Sequence, residues 1–483
     1  MKKTIKRLYL VFFFALALYL FIEKDSPHLL IICGFILAIQ GIGFFLKKLM
    51  EGPKPNNNGV FGKAKFSTVE DLKKNGLTGN GIVFGKVKDQ LIEKPPTKDG
   101  HVLVMGGTGT GKSRGHAIPT LIRWKGTGLA IDIKGELNQL TSHIMPSIVF
   151  STKAQKARYN PLDWIVEIED VQEMGRNIFP KPEKGDPFWA QSAQAIFSAA
   201  CWEFKGKMSF SEVCQWLCSN PNDEIVKKLS ESSELETKIL ISTVLNLKVE
   251  TLGAIFAEVR GKLATIAIDK NIQYATSRSD FSPNDIESNM IYLELAEHQI
   301  KQFGAVFTVI VGQFLRHLTR RSERKQPPVL VLLDEFPRLG KMSEIVGGLA
   351  TLRSRNVHLM LIIQSLSQLD SIYSKEERKV IVDNCGYKLV LNATDVDTQK
   401  YLSDMAGQTS AQVKSYSSDI KSIRVNTQEQ TVPLIRPEEF GVLEKPILFP
   451  YGLRPVELER SFWDQDKQMR SLVNSGNSQA LAK

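Results

Sequence analysis

Residues 106–113 read GGTGTGKS, and this octapeptide constrains the fold more than any other stretch of the chain. It fits the pattern G-x-x-x-x-G-K-[ST]. HVLVM before it reads as a buried parallel strand, and SRGHAIPTLIRW after it reads as a helix. Glycines let such a loop turn tightly, so that backbone N–H groups face a phosphate, and the helix N-terminus adds partial positive charge. On this pattern Gly106, Gly107, Thr108, Gly109, Thr110 and Gly111 wrap the phosphates of a nucleotide, ATP. Lys112 reaches the β- and γ-phosphates, and Ser113 holds Mg²⁺.

A phosphate loop of this kind needs an acid from a second strand. PPVLVLLDEF (Pro327–Phe336) runs five apolar residues straight into Asp334 and Glu335, as a buried strand does when it delivers an acid to its C-terminal edge. Asp334 is the expected partner of the magnesium ion, and Glu335 the residue that orients or deprotonates the attacking water. Further short apolar runs are GLAIDI (128–133), NMIYLEL (289–295), HLMLIIQ (358–364) and YKLVLNA (387–393), separated by helix-like segments. They predict an α/β fold with a parallel sheet covered on both faces. Asp132, Gln364 and Asn392 end strands at the edge where ligands bind, although each serves equally well as a loop or capping residue.

The N-terminus has a different character. Two apolar runs, Leu8–Ile22 and Leu29–Leu46, are separated by EKDSPH alone. Lys2, Lys3, Lys6 and Arg7 precede the first run, and Lys47 and Lys48 follow the second. The positive-inside rule predicts a two-helix transmembrane anchor with both ends in the cytoplasm. No small-residue cleavage site follows the first run, which argues against a signal peptide. The linker EGPKPNNNG follows, and the rest is expected in the cytoplasm. Five sparse cysteines exclude a disulfide framework, and the formal charge of +10 favours nucleic acid or anionic lipid without requiring either.

Taken together these motifs resemble the coupling-protein family of type IV secretion, the VirD4/TraG/TraD-like ATPases. IDIKGEL (131–137), RYNPLD (158–163), DPFWAQSAQAIF (186–197), LLDEFPRLGKM (332–342), HLMLIIQSLSQLDSIY (358–373) and LIRPEEF (434–440) carry the likeness. The resemblance implies a RecA-like P-loop nucleotide-binding domain with an inserted all-α domain behind the membrane anchor. In this chain it divides into an anchor at 1–50, the first part of the nucleotide-binding domain at 51–163 and an all-α domain at 164–282. The second part of the nucleotide-binding domain follows at 283–455, and a C-terminal tail, polar and expected to fray, at 456–483. It implies a homo-hexamer at the bacterial cytoplasmic (inner) membrane, with nucleotide at the subunit interfaces. Arg353 is then the arginine offered to a neighbour's γ-phosphate, with Arg355 two residues on as the alternative, and Gln364 senses that phosphate. The implied partners are single-stranded DNA with its relaxase, effector proteins and other type IV secretion components. A DNA pump of the FtsK/HerA-like kind and a recruitment platform with a slow ATPase are the competing readings. The loop between the spans is shorter than relatives in double-membrane bacteria carry, which puts contacts outside the membrane in question.

Overall fold

The computed structural model describes residues 55–56, 63–182, 185–323, 326–419 and 422–480. Both expected membrane spans lie outside the described residues. Among the described residues no helix is long and apolar enough to cross a membrane.

The chain divides into two compact units. The smaller comprises residues 1–64 and 408–434. In it β1 (Pro55–Asn56) pairs antiparallel with β11 (Gln408–Asp419), which forms a long hairpin with β12 (Ser422–Pro433).

The larger unit, residues 65–407 and 435–483, is built on a nine-stranded sheet. Its strands are β4 (Val102–Met105), β5 (Thr127–Asp132), β6 (Ser147–Ser151), β7 (Met290–Glu294), β8 (Val329–Leu333), β9 (Val357–Ile363), β10 (Tyr387–Val390), β13 (Ile447–Phe449) and β14 (Val456–Glu457). They lie in the order β14-β13-β10-β4-β9-β8-β5-β7-β6. The seven strands from β10 to β6 run parallel. β8 and β9 are buried along their whole length, as strands covered on both faces must be. The sheet is mixed rather than wholly parallel, because β13 and β14 add antiparallel at one edge. They are joined by PYGLRP, a turn short enough for a hairpin and too short for a crossover.

Between β6 and β7 the chain is helical. The longest helices there are Phe188–Phe204 and Val249–Ile268. The two passages into this region are tied to each other. Arg158 pairs with Asp280 through Nε at 2.9 Å, and Ser279 Oγ donates to Asp163 Oδ2 at 2.7 Å. The RYNPLD stretch is therefore a clasp at the neck of the helical region. Asn160 extends it by accepting from the backbone N–H of Phe210 at 2.9 Å.

Among the described residues the C-terminal segment is packed, not frayed. Glu459 and Lys86 exchange backbone hydrogen bonds, which adds the chain to the hairpin of β2 (Ile82–Val87) and β3 (Gln90–Lys94). The helix Lys467–Ala480 follows, and its Met469 and Val473 belong to the main core beside Ile118, Leu121 and Ile122. Sparse apolar residues in a polar tail gave no clear period, yet two of them suffice to seat one helix face.

Candidate active site

The phosphate loop leaves the end of β4 and enters a helical stretch that begins with a wide turn, Ser113–Ala117, and continues as Ile118–Arg123. Gly109 and Gly111 sit at φ +78° and +87°, the left-handed region that only glycine enters freely. Thr110 Oγ1 donates to the carbonyl of Gly107 at 2.8 Å and folds the loop back on itself. Lys112 Nζ donates to the carbonyls of Gly106 at 2.7 Å and Gly107 at 3.0 Å, so its ammonium lies across the mouth of the loop.

Strand β9 lies between β4 and β8, so the loop and the acids face each other across one intervening strand. Ser113 Oγ donates to Asp334 Oδ2 at 3.1 Å across that gap. The other oxygen, Asp334 Oδ1, is sealed from solvent and has no hydrogen-bond partner. A buried carboxylate oxygen with no partner is costly, and a cation or its bound water is what satisfies it. The hydroxyl and carboxylate donor set suits a hard divalent cation, so these residues fit Mg²⁺. Burial, and then the charge of Glu335, push the Asp334 carboxyl up to about 6, against the Ser113 hydrogen bond and Lys112. Burial holds the Lys112 ammonium below its usual range, partly offset by Asp334 and Glu335. The site thus concentrates unbalanced charge of both signs, which phosphate and metal would neutralise.

Glu335 follows in left-handed backbone, φ 48° and ψ 37°, a conformation a glutamate adopts only under constraint. Gln364 stands directly after β9, between the loop and the acids. Asn392 sits beyond β10, and its Oδ1 accepts from the backbone N–H of Gly107 at 2.7 Å. Its part is to hold the loop. Asp132 instead accepts from the N–H groups of Gly135 at 2.7 Å and Asn138 at 2.8 Å, capping the short helix after β5. For Asp132 the turn explains the side chain, and for Asn392 the neighbouring strand does.

Arg353 is not with the others. It lies in the last turn of the helix Ser343–Ser354, just before β9 begins, on the sheet edge opposite its own phosphate loop. The length of β9 puts about 20 Å between the two edges. Arg353 is exposed and lines an open cavity of about 270 Å³ with Pro96, Thr97, Asp99, Pro328 and Asn356. Arg355 is half-buried, and its carbonyl accepts from Arg321 Nη1 at 2.9 Å.

Residues 56–482 match the family described as type IV secretory system conjugative DNA transfer. The chain belongs to this family. Among its relatives are protein VirD4 of Rhizobium rhizogenes, 28% identical over 81% of this chain and 63% of VirD4, and TraG of Escherichia coli, 25% identical over 79% of this chain and 71% of TraG. The chain thus spans less than two thirds of the length of VirD4. Among solved structures, the bacterial conjugative coupling protein TrwB has a similar fold, with a TM-score of 0.68 over 85% of this chain and 96% of that one at 18% identity. TrwB is also known in complex with the ATP analogue ADPNP, with a TM-score of 0.66 over 86% of this chain and 98% of that one.

In this member of the conjugative DNA-transfer family, the C-terminal segment reaches the phosphate loop, which the motifs did not reveal. Arg460 Nη1 donates to the carbonyl of Thr110. The Phe462 ring lies where a Cβ on Gly111 would sit 2.9 Å from it, and against Gly115 as well. Arg114 stacks on that ring at 4.4 Å and pairs with Asp464 through Nε at 2.8 Å. The glycine of the G-K-S triplet is therefore needed for packing as well as for its backbone. The run RSFWD (460–464), two aromatics between opposite charges, was the available signal.

Proposed function

We propose that the chain is a membrane-anchored ATPase that forms a homo-hexamer and couples cargo to a bacterial type IV secretion channel. The observation that carries the reading is the 3.1 Å contact of Ser113 with Asp334 beside Lys112, in a chain of the conjugative DNA-transfer family. TrwB, of similar fold, is known with ADPNP and with ADP and Mg²⁺, which supports the same ligands here.

The chain's own residues divide the work. The N–H groups of Gly106 and Gly107 are taken by Ile363 and Asn392, so the remaining backbone N–H groups of the loop, from Thr108 to Ser113, cradle the phosphates of ATP. Lys112 exchanges its two carbonyl acceptors for β- and γ-phosphate oxygens, a short movement for a side chain already across the mouth of the loop. Ser113 and Asp334 hold Mg²⁺, which offsets the charge developing on the transferred phosphoryl group. Glu335 orients the attacking water and takes its proton. Gln364, between the two strands, reports the state of the γ-phosphate to the helices that follow it. Arg353, on the far sheet edge, completes the site of a neighbouring subunit, which a ring supplies and a monomer does not.

The remaining division follows the same reading. Residues 1–50 anchor the chain in membrane lipid at the bacterial inner membrane, and 51–163 with 283–455 form the nucleotide-binding domain. Residues 164–282 form an all-α domain, a division supported by the Arg158–Asp280 clasp at its neck. The cargo is single-stranded DNA with its relaxase, or an effector protein. A +10 chain suits a DNA-tracking ring.

The test is ATP turnover by the purified protein alone, with single-stranded DNA and with duplex DNA, using Lys112→Ala as the inactive control. Stimulation by single strands supports conjugative coupling. Preference for duplex favours an FtsK/HerA-like pump, and indifference to DNA favours protein cargo. Turnover undiminished in Lys112→Ala would defeat the reading altogether.

A further inference from the structure

The loop after Asp334 contains a cation that the mechanism above does not use. Arg338 Nη1 donates to Glu335 Oε2 at 2.6 Å and to Glu297 Oε1 at 2.9 Å. One guanidinium nitrogen thus serves two carboxylates in different surroundings. Glu335 is 16% exposed and stands in the candidate site, while Glu297 is 58% exposed, just past the end of β7.

The backbone around Arg338 is fixed. A Cβ on Gly304 would lie 2.9 Å from the carbonyl of Leu339, so the helix Ile300–Thr319 sits hard against the loop. Phe336 packs on the Tyr373 ring at 6.0 Å, and the Tyr373 hydroxyl accepts from the N–H of Met342 at 3.1 Å. With both ends of the loop held, the side chains of Arg338 and Glu335 are free to change partners while the chain stays in place. A carboxylate held in a charge-assisted hydrogen bond is less free to turn toward water.

We propose that Arg338 is a positioning residue that holds Glu335 in a resting pose, and that its transfer to Glu297 releases Glu335 for hydrolysis. The inference rests on the reading of Glu335 as the residue that activates water. Glu297 is the lever: it is exposed, and whatever strengthens its hold on Arg338 frees Glu335. The ion pair restrains turnover in the absence of cargo and limits idle hydrolysis.

The test uses the full chain and measures cargo-free ATP turnover. Arg338→Gln is expected to raise kcat about threefold to tenfold, the range of an ion pair only partly screened by solvent, with KM for ATP within about twofold. Arg338→Lys, which keeps the charge, should return kcat toward wild type. Glu297→Gln, which leaves Arg338 to Glu335 alone, should lower kcat, and the double variant should behave as Arg338→Gln. A loop support alone would not produce opposite signs at the two ends of one ion-pair network. A fall or no change in kcat for Arg338→Gln, or no effect of Glu297→Gln, overturns the proposal if Glu335→Gln is inactive. Should Arg338→Gln fail to fold, Glu297→Gln decides alone. Full turnover by Glu335→Gln would instead refute the reading of the site, and the inference with it.

Discussion

Asp334→Asn should remove a loss of stability that the wild type suffers as pH rises, while destroying its activity, and the two effects have one cause. The Asp334 carboxyl is pushed from 3.8 to about 6 on folding, mainly by burial. Between those values the folded state binds the proton that the unfolded state has released. Stability from this residue is therefore intact below about 4 and is lost as pH rises through about 6. A shift of about two units costs about 3 kcal/mol once both states are ionised, and about 2 kcal/mol of this is lost between pH 4.5 and pH 8. Asparagine does not ionise, so its free energy of unfolding lacks this slope. The amide carries a pH-independent cost of its own, because one end faces the position where Oδ1 has no partner. The sound quantity is therefore the difference between the two proteins, which should move by about 2 kcal/mol in favour of the variant from pH 4.5 to pH 8. Urea unfolding followed by tryptophan fluorescence at several pH values reads it. Mg²⁺ with ATP at about a hundred times Kd should add about 2.7 kcal/mol to the wild type and much less to the variant. Parallel pH curves for the two proteins would refute the argument that Asp334 is held ionised at a cost.

Three other substitutions probe different parts of the larger unit. Lys94→Met should stabilise the protein at pH 7 by about 1–3 kcal/mol in urea unfolding, because burial lowers the Lys94 ammonium to about 7 and the unfolded chain holds its proton up to 10.5. Wild-type stability then rises with pH between 7 and 10, a rise the methionine variant lacks; the bond to His358 Nδ1 at 2.8 Å is what it gives up. Phe462→Ala should raise KM for ATP about threefold to tenfold with little change in kcat, since the half-buried ring, a contact of about 1–2 kcal/mol, supports the phosphate loop from behind. Gly312→Ala should destabilise by about 1–3 kcal/mol in thermal or urea unfolding, because its Cβ would sit 2.5 Å from Glu344 Oε1 on the facing helix.

What the sequence made legible and what it did not divide along a physical line. The phosphate loop, the acids at the end of β8 and the strand runs are local patterns, in which glycines, a lysine and alternations of apolar runs specify backbone within a few residues. The clamp on the loop is of another kind. Arg460 reaches Thr110 across 350 residues of sequence, and nothing at either end announces the other. The same holds for Asn392, whose hydrogen bond to Gly107 depends on β10 lying beside β4. Asp132 shows the converse: a strand-end acid that reads as a ligand becomes a helix cap once the turn at Gly135 is formed. Function at a sheet edge is thus readable as a set of candidates, and only the strand order sorts them.

That strand order also gives the strongest argument that the site is shared between subunits. With β9 between β4 and β8, Lys112, Ser113, Asp334, Glu335 and Gln364 all belong to the C-terminal edge of three adjacent strands. Arg353 precedes β9 and so belongs to the other edge, and no rotamer spans a strand of that length. On the proposed reading, this exposed arginine beside an open cavity serves a neighbour's site. Arg353→Ala should therefore leave ATP binding by the isolated chain unchanged and abolish turnover of the assembled ring. Mixing it with Lys112→Ala protein should restore turnover, because each supplies what the other's site lacks. Failure of the mixture to recover any activity, with assembly demonstrated, would return Arg353 to the role of a surface charge.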